Sequence, residues 1–128
     1  MPLRIEPVVF LNRDQTVRLS CDELQWILEK GQPSRKVPGR DSGYRGVSYV
    51  MTEKRILLRC IREKNLRIDI WGRCVLAVLH DNFSEFRAEW QRYGMTNVRR
   101  RIHYMAKSAS PLPEGYVTLG GGCCIETA

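Results

Sequence analysis

The spacing of apolar residues changes near residue 52, and this change constrains the fold more than any other feature. Before it, Val17, Leu19 and Cys21 alternate with polar residues, as in a half-buried β-strand. After it, apolar residues recur every three or four positions, which is typical of helices. Strands followed by helices indicate an α+β domain. The sequence therefore predicts an α+β fold: a small antiparallel sheet of three to four strands followed by about three helices.

Two further segments are predicted to be strands. Residues 24–28 repeat the alternation after a bend at Asp22. A short helix over 22–30 is the alternative, because Asp22 is a good N-cap and Gly31 a good helix end; the alternation favours the strand. Residues 47–51 are β-branched and aromatic, which is also typical of a strand.

Residues 31–46 are predicted to be a loop, because prolines and glycines interrupt any regular pattern there. At 16 residues the loop is longer than an ordinary hairpin connection, which leaves a functional loop and a merely mobile one as alternatives. It is strongly basic, and Tyr44 near its end is a candidate stacking group.

The helices are predicted from their caps and their apolar faces. Thr52 is the expected N-cap of the first, with Asn65 at its end. Its inward residues are predicted to be Ile56, Leu57, Cys60 and Ile61. Asp69 is the expected cap of the second, with inward residues Ile70, Cys74, Val75, Val78 and Leu79.

The remaining helical segments leave alternatives open. Asp81-Asn82 is expected to end the second helix and Ser84 to cap a third, although one long kinked helix fits equally well. The third helix carries Phe86, Trp90 and Tyr93 before Gly94. A last helix is expected to begin at Thr96, because Val98, Ile102 and Met105 recur at intervals of four and three residues. A helix-turn-helix across 69–105 is conceivable. Residues 1–107 are predicted to form a single domain and 108–128 a flexible tail.

The chain has a net charge of +7, and the excess lies in three blocks, residues 30–52, 53–67 and 99–107. Such a charge distribution favours anionic partners, either nucleic acid or the acidic surface of a protein. No apolar run approaches the roughly 18 residues of a membrane span. We therefore expect no membrane partner, and the sequence does not indicate an oligomeric state.

Cysteine usage and the start of the sequence point to the cytoplasm. Five cysteines are an odd number, which is unsuited to a closed disulfide framework, and the first residues do not resemble a signal peptide. The cysteines also lack the paired spacing of a zinc site, so we expect no metal and no cofactor. Neither histidine lies in a recognisable catalytic motif, and we predict that the chain is not an enzyme.

The best candidate contact residues are basic side chains, because phosphate binding needs Lys and Arg but no particular motif. They are Arg99, Arg100, Arg101 and Lys107 in the last helix, and Arg35, Lys36, Arg40 and Tyr44 in the basic loop. His103 and Tyr104 share the last helix with this cluster.

Residues 14–63 resemble short, mostly uncharacterised proteins of bacterial phages and integrated mobile elements. The resembling features are the segment from Asp22 to Leu28, the basic loop, and Gly46–Val50 running into residues 52–63. The resemblance implies a phage or mobile-element setting, in which small basic proteins often regulate transcription or block host defence. The predicted function is a small, basic, non-enzymatic protein that contacts nucleic acid or a nucleic-acid-handling complex. The alternatives are an inhibitor of a host protein, for example of the anti-CRISPR type, and an enzyme without a recognisable motif.

Overall fold

The computed structural model describes residues 4–32 and 43–108, which form a four-stranded antiparallel sheet and four helices. The strands are β1 (Glu6–Phe10), β2 (Val17–Cys21), β3 (Trp26–Gly31) and β4 (Tyr44–Val50). The helices are α1 (Lys54–Glu63), α2 (Ile70–Val78), α3 (Phe83–Tyr93) and α4 (Met95–Ser108). The predicted α+β class is confirmed, with four helices in the described ranges where about three were expected.

The sheet is a meander in the order β1-β2-β3-β4, so that β1 and β4 are its edges. The strand over residues 24–28 is confirmed from Trp26 onward, and its helical alternative is wrong. The Asp22 carboxylate explains the turn that precedes it. Its Oδ1 accepts hydrogen bonds from the backbone nitrogens of Leu24 and Gln25, at 2.8 and 3.1 Å. A short polar side chain that satisfies the backbone in this way favours a turn over a helix.

One face of the sheet packs against the helices and forms the core. The sheet contributes Leu19, Cys21, Trp26, Leu28 and Val50, and the helices contribute Leu57, Val75, Phe86, Val98 and Ile102. Trp26 lies edge-on to Phe83 and Phe86, with ring centroids 5.5 and 5.8 Å away. Aromatic side chains bury large apolar areas, so this cluster ties β3 to α3.

The opposite face of the sheet carries a buried polar cluster. Arg18 and Glu29 are paired across β2 and β3, and Arg18 Nε lies 2.6 Å from Glu29 Oε1. Ser20 donates to the same carboxylate oxygen. The Tyr44 ring lies 4.1 Å from the Arg18 guanidinium carbon. A buried carboxylate needs partners of this kind, so the cluster has a structural explanation.

β4 begins inside the segment that was predicted to be a loop, so the predicted end of the loop at residue 46 is wrong. Gly46 pairs with Glu29 at a bulge in the β3–β4 ladder. A Cβ on Gly46 would overlap the Tyr49 ring. The glycine therefore makes room for an aromatic ring over a strand, a role that the sequence pattern does not distinguish from a loop.

The predicted cap residues of three helices were each displaced by one or two positions. Glu53, rather than Thr52, is the N-cap of α1, and Asn82, rather than Ser84, caps α3. The reason is tertiary: Glu53 and Asn82 form an isolated antiparallel β-bridge, which fixes both helix starts. α4 begins at Met95, so Thr96 lies inside it. Asp69 caps α2 as expected, accepting a hydrogen bond from the Gly72 backbone nitrogen at 3.2 Å.

Ile70, which was predicted to point inward, is exposed, and so are Tyr93 and Met105 of the apolar patterns in α3 and α4. Ala106 takes the inward position on α4 instead. The predicted tail lies outside the described residues, except for Ser108, which ends α4. No helix within residues 4–32 and 43–108 is long and apolar enough to cross a membrane.

Candidate nucleic-acid interface

Helix α4 carries the arginine cluster and packs against α2, α3 and β1. Its buried residues are Met95, Val98, Ile102 and Ala106. The helix follows α3 after a single residue, Gly94, whose φ of 88° suits glycine. This junction is shorter than the three or four residues of a helix-turn-helix, whereas residues 79–82 between α2 and α3 are four. Because one side of α4 is buried, the three consecutive arginines must point in different directions.

Arg99 is held against the edge strand β1. Its Nε donates a hydrogen bond to the Pro7 carbonyl oxygen at 2.9 Å, and its Nη2 lies 3.2 Å from Glu6 Oε1. The side chain keeps 37% of its exposure. Arg99 therefore links α4 to β1, and its charge is already matched by a carboxylate.

Arg101 belongs to a second internal cluster, with Glu89 and His80. Arg101 Nε donates to Glu89 Oε2 at 2.8 Å, and His80 Nε2 lies 2.7 Å from Glu89 Oε1. Burial alone would raise the pKa of Glu89, but the hydrogen bonds from Arg101 and His80 outweigh it and hold that pKa below its usual value. Within the described residues, His80 Nδ1 is buried and has no hydrogen-bond partner. The charge of Arg101, like that of Arg99, is therefore already matched by a carboxylate within the fold.

Arg100, Tyr104 and Lys107 point away from the body of the protein, and we call them the α4 basic face. They are four and three residues apart, so they share one side of the helix. Arg100 and Lys107 are exposed, and Tyr104 keeps 74% of its exposure. Across residues 4–32 and 43–108, no hydrogen bond or ion pair engages the side chains of Arg100 or Lys107. These two cations are therefore free to meet an anion.

A pair of aromatic rings borders the α4 basic face. His103 of α4 contacts Trp71 of α2, with ring centroids 5.1 Å apart and planes tilted by 56°. Trp71 is fixed in turn, because its Nε1 donates to the Phe10 carbonyl oxygen at 3.2 Å. Trp71 was not among the contact residues predicted from the sequence. Its position two residues after the Asp69 N-cap, in the first turn of α2, was the signal that it lies near the surface.

Helix α1 carries as many basic residues but offers a weaker site. Arg55 is paired with Glu53, and Arg59 Nε lies 3.9 Å from Glu63 Oε2. Helix α4 has four basic residues and no acidic residue of its own. Among the described residues, Arg62 is the one unpaired cation of α1, whereas α4 has two, Arg100 and Lys107.

The other predicted contact residues are not brought to this face by the described part of the chain. Arg35, Lys36 and Arg40 lie outside the described residues. Tyr44 lies in β4, where its hydroxyl donates to the Gln15 carbonyl oxygen at 2.7 Å and its ring contacts Arg18. These contacts give the Tyr44 ring a structural role in the sheet.

Burial makes two of the three cysteines in the described ranges poor nucleophiles. Cys21, Cys60 and Cys74 are free thiols. Burial raises the pKa of Cys21 to about 12 and also raises the pKa of Cys74. Both thiols therefore stay protonated at neutral pH, and a protonated thiol is a poor nucleophile. In the same ranges, no group of three or more His, Cys, Asp or Glu residues is placed to hold a metal ion.

Comparisons of the chain with protein-family models, with curated proteins and with solved structures found no match.

Proposed function

We propose that this chain is a non-enzymatic binding protein that contacts nucleic acid, alone or within a nucleic-acid-handling complex, through the α4 basic face. The observation that carries the proposal is the pair of unpaired cations, Arg100 and Lys107, on one exposed side of a rigidly packed helix. Phosphate oxygens are the natural partners of such cations, and contacts to them need no sequence motif.

The rigidity of α4 supports the proposal. Arg99 and Arg101 anchor the helix to β1 and α3 on its two sides, at 2.9 and 2.8 Å. Arg100 and Lys107, on the same helix, therefore lie on a fixed platform. A fixed platform lowers the cost of ordering the contact side chains on binding.

The test is a titration of fluorescently labelled duplex DNA and single-stranded RNA, followed by anisotropy across a salt series. We expect affinity to fall log-linearly with salt concentration. The double variant Arg100→Gln/Lys107→Gln removes two phosphate contacts. The slope of log K against log salt concentration should therefore become less negative by about 1.8 for duplex DNA or about 1.4 for a single strand.

The matched control is Arg62→Gln/Lys64→Gln. These two residues also lie at the exposed end of a basic helix, α1, and the substitution removes the same charge. Equal weakening by both double variants would show that net charge alone matters, and would overturn the assignment to α4. Charge changes at Arg99 or Arg101 are unsuitable, because they also break internal ion pairs.

Absence of binding to either nucleic acid at low salt would overturn the proposal. The α4 basic face would then be expected to bind an acidic surface on another protein, as in the alternative that the chain inhibits a host protein. The phage or mobile-element setting is part of the proposal, and it rests only on the resemblance of residues 14–63.

A further inference from the structure

We infer that the α4 basic face takes single-stranded nucleic acid in preference to duplex, with a base stacked on Tyr104. The inference rests on the proposed function and adds the class of nucleic acid. It starts from Tyr104, the most exposed large hydrophobic side chain among residues 4–32 and 43–108, at 74%. Its ring contacts no other aromatic ring within those residues. Phosphate binding alone does not explain why the exposed Tyr104 ring lies between the unpaired side chains of Arg100 and Lys107.

A stacking role explains that position. The bases of a duplex are already stacked on one another, so a protein ring cannot reach their faces without unstacking them. The bases of a single strand are accessible, and aromatic side chains beside a basic groove are the usual way to bind them. Tyr104 lies one turn from both Arg100 and Lys107, which places a base site next to two phosphate sites.

The Trp71–His103 pair extends the aromatic surface. His103 precedes Tyr104 and is exposed, and its ring is held by contact with Trp71 at 5.1 Å. Arg100 and Lys107 are separated by roughly 10 Å along the helix axis, from seven residues at 1.5 Å each. That length corresponds to roughly three nucleotides of a stacked strand at 3.4 Å per nucleotide. A short oligonucleotide is therefore sufficient to occupy the site.

The experiment compares a labelled 12-nucleotide single strand with the 12-base-pair duplex of the same sequence, by anisotropy at low salt. We expect the wild-type protein to bind the single strand more tightly. Tyr104→Ala should weaken single-strand binding by roughly 5- to 150-fold, the range found for removal of one stacked base. The same variant should leave duplex binding unchanged, and Tyr104→Trp should retain single-strand binding.

Tyr93→Ala is the matched control, because Tyr93 is 56% exposed on the neighbouring helix α3. It should change neither affinity. An oligonucleotide of abasic sites provides a second control: it should bind weakly, and Tyr104→Ala should not weaken it further. Thermal unfolding of each variant shows whether the fold is intact.

The outcomes separate the two proposals. Duplex binding as tight as single-strand binding, with no effect of Tyr104→Ala, would overturn the stacking inference and leave the proposed function standing. Binding to neither nucleic acid would overturn the proposed function. Single-strand binding that is lost in Tyr104→Ala and kept in Tyr104→Trp supports both.

Discussion

Replacement of Gly72 by alanine tests how closely α2 approaches the sheet. A Cβ at this position would lie 2.8 Å from the Leu11 carbonyl carbon and closer still to its oxygen, and 2.6 Å from Ile68 Cγ2. The Leu11 backbone cannot give way easily, because its nitrogen donates to the Val17 carbonyl oxygen at 2.9 Å. The added methyl group must therefore push α2 away from the end of β1.

The magnitude follows from two opposing effects. Overpacking of a core costs about 1–3 kcal/mol, and an obstacle of backbone atoms places Gly72→Ala near the upper end. Alanine is the better helix former by about 1 kcal/mol, which offsets part of that cost. We expect a net loss of about 1–2 kcal/mol, which lowers the melting temperature by about 4–16 °C, at about 4–8 °C per kcal/mol for a small domain.

Urea and thermal unfolding followed by circular dichroism measure the effect. Arg73→Ala is the matched control, since Arg73 is the exposed neighbour on the same helix; it should change stability by less than about 0.5 kcal/mol. Unchanged or increased stability of Gly72→Ala would refute the close packing of α2 on Leu11.

Three further predictions follow from other contacts. Gly94→Ala should cost about 1–3 kcal/mol in urea unfolding, because a φ of 88° strains any residue with a Cβ even though no atom obstructs it. Lys54→Met should cost about 1–2 kcal/mol, because Lys54 Nζ donates at 2.9 Å to two carbonyl oxygens at the end of α2. The folded-state pKa of Glu89 lies below its usual value of 4.5, so its stabilising effect is present above that pH and lost as pH falls below it. Glu89→Gln should therefore reduce the loss of unfolding free energy between about pH 5 and pH 3.

Each of these has an outcome that would contradict it. A Gly94→Ala protein as stable as wild type would show that the α3–α4 junction tolerates another backbone conformation. An unchanged unfolding midpoint for Lys54→Met would mean that water replaces the ammonium group at both carbonyls. Identical acid sensitivity of wild type and Glu89→Gln would show that other carboxylates set the pH dependence.

Local patterns predicted the secondary structure well where neighbours along the chain decide it. The alternation around Leu19 and the helical spacing around Leu57 each placed an element and its buried side. Local patterns failed where a distant segment decides. The Thr52 hydroxyl is a good cap by composition, but the bridge between Glu53 and Asn82 sets the start of α1 instead.

The sequence alone could not predict which of the three arginines are paired and which is free. Helical spacing from Val98 and Ile102 places Arg100 on the outer side of α4. The engagement of Arg99 depends on Glu6, a residue 93 positions earlier in the chain. Arg101 likewise depends on a carboxylate in another helix. In the sequence the three arginines therefore form one basic cluster. In the fold, Arg99 and Arg101 are paired with carboxylates and Arg100 is not.

The anchoring of α4 on β1 also determines when this edge of the sheet is covered during synthesis. Two carbonyl oxygens of this edge strand, those of Pro7 and Phe10, receive hydrogen bonds from Arg99 and Trp71. Arg99 is synthesised 92 residues after Pro7, a delay of roughly 5–18 s at 5–20 residues per second. Throughout that interval the nascent sheet carries an open edge of the kind that pairs with other chains. The helix that we propose as the binding surface is therefore also the last element to cover the β1 edge, and so to protect it from pairing with other chains during synthesis.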